Sequence, residues 1–297
     1  MPELPEVETV RRGLAPSLEG ARIVSVETSR PDLRFPFPEG FGQRLVGRTV
    51  KAMDRRGKFM RAHLSSAETL VLHLGMSGRF SVLPVEGKVL AQAPRSGSLN
   101  EVFHFAGSTD PKHDHVKLTV EGPVGAAMIV YNDPRRFGYM DLVPTSEIEE
   151  CAHFRSMGPE PLSPAFNAAS FTEHLRGRTT SIKAALLDQR FVAGVGNIYA
   201  CEALFRAGIS PRRKAGSVAG KRASRLVPAV KEVLTEAIEA GGSSLQDFAG
   251  SDGALGYFQH RFTVYDREGD ACYTCQKPVQ RLVQNGRSTF FCASCQR

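Results

Sequence analysis

Met1-Pro2-Glu3-Leu4-Pro5-Glu6-Val7-Glu8 opens the chain with a proline that becomes terminal once the methionine is removed, as happens when the second side chain is small. The exposed group is then a secondary amine. An α-amino group titrates near about 7.7–8.0, so a usable fraction is free base at neutral pH. Such an amine attacks an aldehyde-like carbon and forms an iminium, as Schiff-base lysines do. Glu3 supplies an adjacent carboxylate for general acid work. The same stretch starts a helix. Pro5 suits its first position, Glu6 and Glu8 complement the positive end of its dipole, and Glu8 pairs with Arg12 at i,i+4. Val7, Val10, Leu14 and Leu18 form one apolar stripe, and Pro16 is expected to break the helix or end it at Ala15. Two other readings of these residues stand beside the nucleophile: an ordinary helix start, and the general base of a tautomerase-like enzyme.

The opposite end of the chain bears on the choice. Cys272-x2-Cys275-x16-Cys292-x2-Cys295 has the spacing of a four-cysteine zinc ribbon, and four thiolates leave no open coordination position. The zinc expected here is structural, its task being to hold Arg287 on the hairpin between the pairs. The remaining cysteines, Cys151 and Cys201, read as buried thiols without a role.

Charge points to a polyanion. The 297 residues carry a net charge of +7. Leu175–Arg225 holds eleven Lys/Arg against Asp188 and Glu202, an excess of nine that outweighs the whole chain's. A concentrated block of this kind is the footprint of nucleic-acid binding. The sequence has neither an eighteen-residue apolar run nor a signal-peptide core, so a soluble cytoplasmic protein with no membrane partner is expected.

Between the ends the pattern changes once. From Ala21 to Tyr139, strand-like runs at 23–26, 69–74, 116–120 and 127–131 alternate with Gly/Pro punctuation, predicting an antiparallel sandwich or barrel. Residues 83–110 read as a long exposed loop. Lys58 follows Gly57 at a turn, either as a solvated charge or as a phosphate and proton-transfer group. Met76 sits on a Gly-flanked loop. Asp133-Pro134-Arg135-Arg136-Phe137-Gly138 puts arginines beside a phenylalanine, the combination that wedges a DNA base step, or else a loop tip with solvated charges. An acidic, proline-rich connector spans 143–164. Helical periodicity follows over 171–175, 181–189, 198–207 and 222–240. Gly194-Val195-Gly196-Asn197 precedes one of these helices, with Asn197 as its expected N-cap and the glycines opening its N-terminus to an anion, here a DNA phosphate. Residues 241–270 read as loop and then strand, with 250–253 as a lid.

Taken together, Pro2–Thr9, Arg56-Gly57-Lys58, the Asp133–Gly138 turn, Gly194-Val195-Gly196-Asn197-Ile198-Tyr199-Ala200 and the ribbon with Gly286-Arg287-Ser288-Thr289 resemble bacterial formamidopyrimidine-DNA glycosylases, in the same order and from end to end of the chain. The resemblance implies an α+β fold. Residues 1–145 form the N-terminal helix and β-sandwich, 146–165 a linker, 166–250 a helix–two-turn–helix domain and 251–297 the zinc-ribbon module. It implies excision of oxidised purines, chiefly 8-oxoguanine opposite cytosine and formamidopyrimidines, from damaged double-stranded DNA, followed by β,δ-elimination. The enzyme is expected to be a monomer with one structural Zn2+ and no organic cofactor.

Carried over by motif, Pro2 is the nucleophile, Glu3 the acid that helps open the sugar, and Lys58 and Arg287 act in β- and δ-elimination and bind phosphate. Met76, Arg135 and Phe137 fill the gap left by the flipped base, with Arg135 facing the orphan cytosine. His113, Arg178 and Asn197 bind the backbone. Two departures accompany the match: 83–110 is longer than the family pattern, and Cys201 replaces a small polar residue. The alternatives are an endonuclease VIII-like enzyme for oxidised pyrimidines, which the wording of Leu4–Thr9 and of Gly256-Tyr257-Phe258-Gln259 disfavours, and a non-catalytic damage binder.

Overall fold

The computed structural model describes residues 2–85, 110–243 and 256–297; of the long loop expected at 83–110, residues 86–109 lie outside them while 83–84 belong to a strand, and the lid expected at 250–253 also lies outside. The chain divides into two compact units. One comprises Met1–Pro2, Glu6–Arg155 and Ser243–Gly256, the other Glu3–Pro5, Ser156–Gly242 and Tyr257–Arg297.

The first unit is an antiparallel sandwich. Strands β1 (Arg22–Thr28), β2 (Val50–Arg56), β3 (Phe59–Leu64), β4 (Glu68–His73), β5 (Arg79–Pro84), β6 (Asp114–Gly122), β7 (Gly125–Asn132) and β8 (Tyr139–Pro144) form two four-stranded sheets, ordered β1-β6-β7-β5 and β2-β3-β4-β8. Alternation sets the faces. In β3, Met60, Ala62 and Leu64 are buried while Phe59, Arg61 and His63 are partly exposed, the period of two that half-buries a strand. Helix α1 (Leu4–Leu18) lays Val7, Val10, Leu14 and Leu18 into the core with Ile23, Met60, Leu72, Leu118 and Ile129.

Pro16 does not break α1, contrary to the expectation. Proline removes one intrahelical bond, but Pro16 and Arg12, whose carbonyl loses its donor, both face solvent. Burial of Leu14 and Leu18, and the bond from Glu19 N to Ala15 O (2.8 Å), hold the last turn. The Glu8–Arg12 pair forms at 2.8 Å. Glu6 does more than complement the dipole: its buried carboxylate accepts from both N (2.8 Å) and Oγ (3.0 Å) of Ser243. A short helix, α2 (Phe41–Leu45), packs its Phe41 and Leu45 inward.

The second unit is helical, with α3 (Ala168–Leu175), α4 (Ile182–Leu187), α5 (Asn197–Arg206) and α6 (Ala223–Glu239). Asn167 caps α3 in a reciprocal capping box with Ser170, and Ser181 caps α4. The terminal module is a hairpin of β9 (Gln280–Gln284) and β10 (Arg287–Phe291) turning at Asn285-Gly286, both at positive φ as a two-residue hairpin turn requires. Among the described residues before Asp270 the expected strand does not form: Phe258–Arg261 is a single 3-10 turn, and Thr263, Val264 and Tyr265 are tied to α5 instead. Cys201 is buried as expected, burial pushing its thiol up to about 11, whereas Cys151 is only half-buried.

Candidate active site and DNA-binding surface

Glu3 sits at the start of α5. Its Oε1 accepts the N–H of Ile198 at 3.1 Å, one of the unpaired amides of that helix's first turn. Asn197 is therefore not the N-cap. Gly196 holds that position without a side chain, because a Cβ there would land on the Glu3 carboxylate. Gly194, at φ +78°, packs against Leu4 and accepts its N–H at 3.2 Å. The Gly-x-Gly turn thus accommodates a carboxylate of the same chain, that of Glu3.

The side chain of Asn197 turns to the hairpin, donating to Ser288 O at 2.9 Å. Lys183 joins it there, donating to Ser288 O (2.9 Å) and Thr289 Oγ1 (2.6 Å) with only 1% of its surface exposed. These bonds fix the start of β10, where Arg287 stands exposed. Burial lowers the Lys183 ammonium below its ordinary range and the Arg287 cation lowers it further, against the pull of Cys201 and Glu3. Sequence reasoning had counted Lys183 only as one charge of a basic block. Its place two residues past the Ser181 N-cap, on the apolar face of α4, was the available signal. Arg178 is exposed, with its guanidinium 4.6 Å over the Phe191 ring and Nε donating to His174 O.

Glu202, on the same α5, is a second residue that the sequence did not single out. Its buried carboxylate accepts from Thr263 N (2.9 Å), Val264 N (3.0 Å), Tyr265 N (2.8 Å) and the Thr263 hydroxyl. The four sulfurs of Cys272, Cys275, Cys292 and Cys295 lie within 4.8 Å of one another, with Cys272–Cys295 at 3.9 Å and Cys275–Cys292 at 3.4 Å. Four thiolates each about 2.3 Å from one tetrahedral ion sit about 3.8 Å apart, so the set fits a metal ion.

In the sandwich unit, Pro2 is buried ahead of α1, and Lys58 follows Gly57 (φ +57°) in the two-residue turn between β2 and β3. Lys58 is only 7% exposed, which excludes the solvated basic turn. Met76 is half-buried on the turn after β4, and Gly75, at φ +64°, lets that turn lie against the backbone of Phe137 and Gly138. Arg135 and Phe137 are exposed on the neighbouring turn, with the guanidinium 5.0 Å over the ring. His113 ends a short 3-10 turn that Asp110 caps. The structure therefore brings Met76, Arg135 and Phe137 onto adjoining turns, and joins Glu3, Asn197 and the Arg287 hairpin around the start of α5.

A basic helical unit with a four-cysteine ribbon and a sandwich unit bearing a wedge-like pair of turns define a two-unit protein of the kind that grips nucleic acid. Residues 1–140 match the formamidopyrimidine-DNA glycosylase N-terminal domain, and residues 157–249 match the formamidopyrimidine-DNA glycosylase H2TH domain. The chain belongs to the formamidopyrimidine-DNA glycosylase family. A formamidopyrimidine-DNA glycosylase of Caulobacter vibrioides is 54% identical over 298 residues, covering all of both chains. The crystal structure of the MutM (Fpg) protein of Thermus thermophilus is 40% identical, with a TM-score of 0.82 over 99% of this chain and 98% of that one. The wild-type Lactococcus lactis Fpg in complex with an N7-benzyl-Fapy-dG-containing DNA is 32% identical, with a TM-score of 0.82 over all of both chains.

Proposed function

We propose that this chain is a bifunctional base-excision repair enzyme that removes oxidised purines from double-stranded DNA and then cuts the strand. The observation that carries the reading is the seating of Glu3 on the first turn of α5, the same turn from which Asn197 holds the Arg287 hairpin through Ser288. Two residues assigned to the chemistry, from opposite ends of the sequence, share one rigid support.

A lesion inside a duplex is reached by extruding its nucleotide, which costs a few kcal/mol of stacking that side chains entering the gap offset. Met76, Arg135 and Phe137 take that place, with Arg135 directed to the orphan cytosine, and His113, Arg178 and Asn197 hold the backbone. The Pro2 nitrogen bonds to C1′ as the C1′–base bond breaks and the base leaves with the electron pair. Glu3 protonates the ring oxygen as the sugar opens, giving an iminium between Pro2 and C1′. That cation acidifies the C2′ proton. Its removal, assisted by Lys58, expels the 3′ phosphate, and a second elimination assisted by Arg287 expels the 5′ phosphate. The whole sequence runs on the chain's own groups, with activity following loss of Met1.

Cys272, Cys275, Cys292 and Cys295 hold one structural Zn2+, whose part is to fix the ribbon. The reading includes monomeric action, the bacterial cytoplasm as its compartment, and a division into a sandwich domain (1–145), a linker (146–165), a helix–two-turn–helix domain (166–250) and a zinc ribbon (251–297). No helix among the described residues is long and apolar enough to cross a membrane. Borohydride trapping on two duplexes tests the substrate class, one with 8-oxoguanine opposite cytosine and one with an oxidised thymine. A strong covalent adduct on the purine duplex, much reduced in Glu3→Gln, is expected. An adduct mainly on the thymine duplex would move the chain to the pyrimidine enzymes, and no adduct on either would leave a DNA binder without chemistry.

A further inference from the structure

Asp133 is fully buried and hydrogen-bonds to three loops. Its N–H donates to His113 O and its carbonyl accepts from His115 Nε2, both at 3.0 Å. Because a carbonyl only accepts, His115 carries its proton on Nε2, leaving Nδ1 to face the Ser29 hydroxyl at 3.4 Å. Oδ1 of Asp133 accepts from Ser77 Oγ at 2.6 Å and from Arg135 N at 3.3 Å. Oδ2 accepts from Gly138 N at 2.9 Å and from the Tyr131 hydroxyl at 3.2 Å. The Ser77 hydroxyl also receives Arg135 N at 3.3 Å, closing a ring between the two turns.

Each loop tied to this residue carries a side chain assigned above to DNA. The 110–113 turn presents His113, the 74–78 turn presents Met76 beside Ser77, and the 133–138 turn presents Arg135 and Phe137. The ties are backbone groups and short hydroxyls, which fix loop position while leaving the outward side chains unencumbered. The two gap-filling turns also touch directly, since a Cβ on Gly75 would land on the Phe137–Gly138 backbone. His73 completes the hold on that side, its Nδ1 accepting Gly75 N at 3.1 Å.

We propose that Asp133 is a positioning residue that locks these three loops into one rigid reader, so that backbone grip, gap filling and inspection of the opposite base occur in a single docking event. The proposal rests on the DNA-contact roles given under Proposed function. It separates reading from chemistry: the reader matters where a base must be extruded from a duplex, and not where an abasic sugar is already accessible. Ser77 is the informative lever, because its removal cuts the 2.6 Å tie between the turns while Asp133 keeps its bonds to Arg135 N, Gly138 N and Tyr131.

The test measures Ser77→Ala and Asp133→Asn on three substrates: 8-oxoguanine opposite cytosine, 8-oxoguanine opposite adenine, and a single strand with a preformed abasic site. For Ser77→Ala, a fall of about tenfold in kcat/KM on the cytosine duplex is expected, of the size that a modest misplacement of positioning groups produces. The cytosine-over-adenine preference should shrink with it, while abasic-strand cleavage stays at its wild-type value. Asp133→Asn should show the same substrate pattern more strongly, with a lowered Tm, since an amide donor then faces donors. An unchanged preference in both variants, or a parallel loss on all three substrates, would overturn the proposal. Met76→Ala, Arg135→Ala and Phe137→Ala, run alongside, tell the two failures apart. If these also leave duplex excision and preference unchanged, the contact assignments fail and the proposal falls with them. If they reduce both while Ser77→Ala and Asp133→Asn do not, the contacts stand and Asp133 is not their organiser.

Discussion

At Gly196 the backbone is extended, with φ −129° and ψ −163°, a conformation that alanine adopts without strain. The three atoms nearest an added methyl group all belong to the Glu3 carboxylate. Gly196→Ala is therefore expected to displace Glu3 while preserving the fold. Excision of 8-oxoguanine should fall by about a hundredfold, the cost of moving an acid by about an ångström, with little change in melting temperature. Wild-type excision in this variant would show that the position of Glu3 is immaterial. His73 makes a second single-residue prediction. Burial, and then the neighbouring Lys58, Arg34 and His153, push its imidazole down to about 4. It is neutral in the folded protein, as its acceptance of Gly75 N requires. Between about pH 6.5 and 4 the unfolded chain binds a proton that the folded one does not, so stability falls as pH drops through that window, by roughly 3 kcal/mol in all. His73→Gln should flatten this part of the stability profile in urea titrations at stepped pH; an unaltered slope would assign the acid sensitivity to other groups.

The elements were legible where periodicity was long and unopposed. The stripe of α1, the runs of β1, β4, β6 and β7 and the four helical segments were all evident from spacing. What sequence reasoning missed were places where a distant partner overrides a local signal. Pro16 looked like a stop, but the apolar stripe continues past it and its face is wet. Asn197 looked like a cap, yet Glu3 reaches the first turn of α5 and frees the asparagine for Ser288. The later part of 241–270 looked like a strand, yet the Thr263, Val264 and Tyr265 amides are claimed by Glu202 instead of a ladder. Glu202→Ala would leave those buried N–H groups without acceptors, at about 1–3 kcal/mol for each unpaired group. A loss of about 3 kcal/mol or more in denaturant unfolding is expected. A loss below about 1 kcal/mol would mean that the segment is held by its packing alone.

At the scale of the whole molecule, the residues assigned to the chemistry were easier to pick out than those that support them. Pro2, Lys58, Arg287 and the four cysteines stand in motifs that the sequence carries openly. Asp133, Lys183 and Glu202 act through bonds to residues as far as 106 positions away, which no local pattern reports. The central claim is that the chain's own N-terminal nitrogen carries out the excision, with the rest of the fold presenting DNA to it. The most direct measurement is peptide mapping by mass spectrometry of the borohydride-trapped complex with 8-oxoguanine DNA, alongside an intact mass of the active protein. The account predicts protein lacking Met1, with the reduced sugar adduct on the peptide beginning at Pro2 and bonded to its nitrogen. An adduct on Lys58 or another lysine, or full activity in protein that retains Met1, would contradict it.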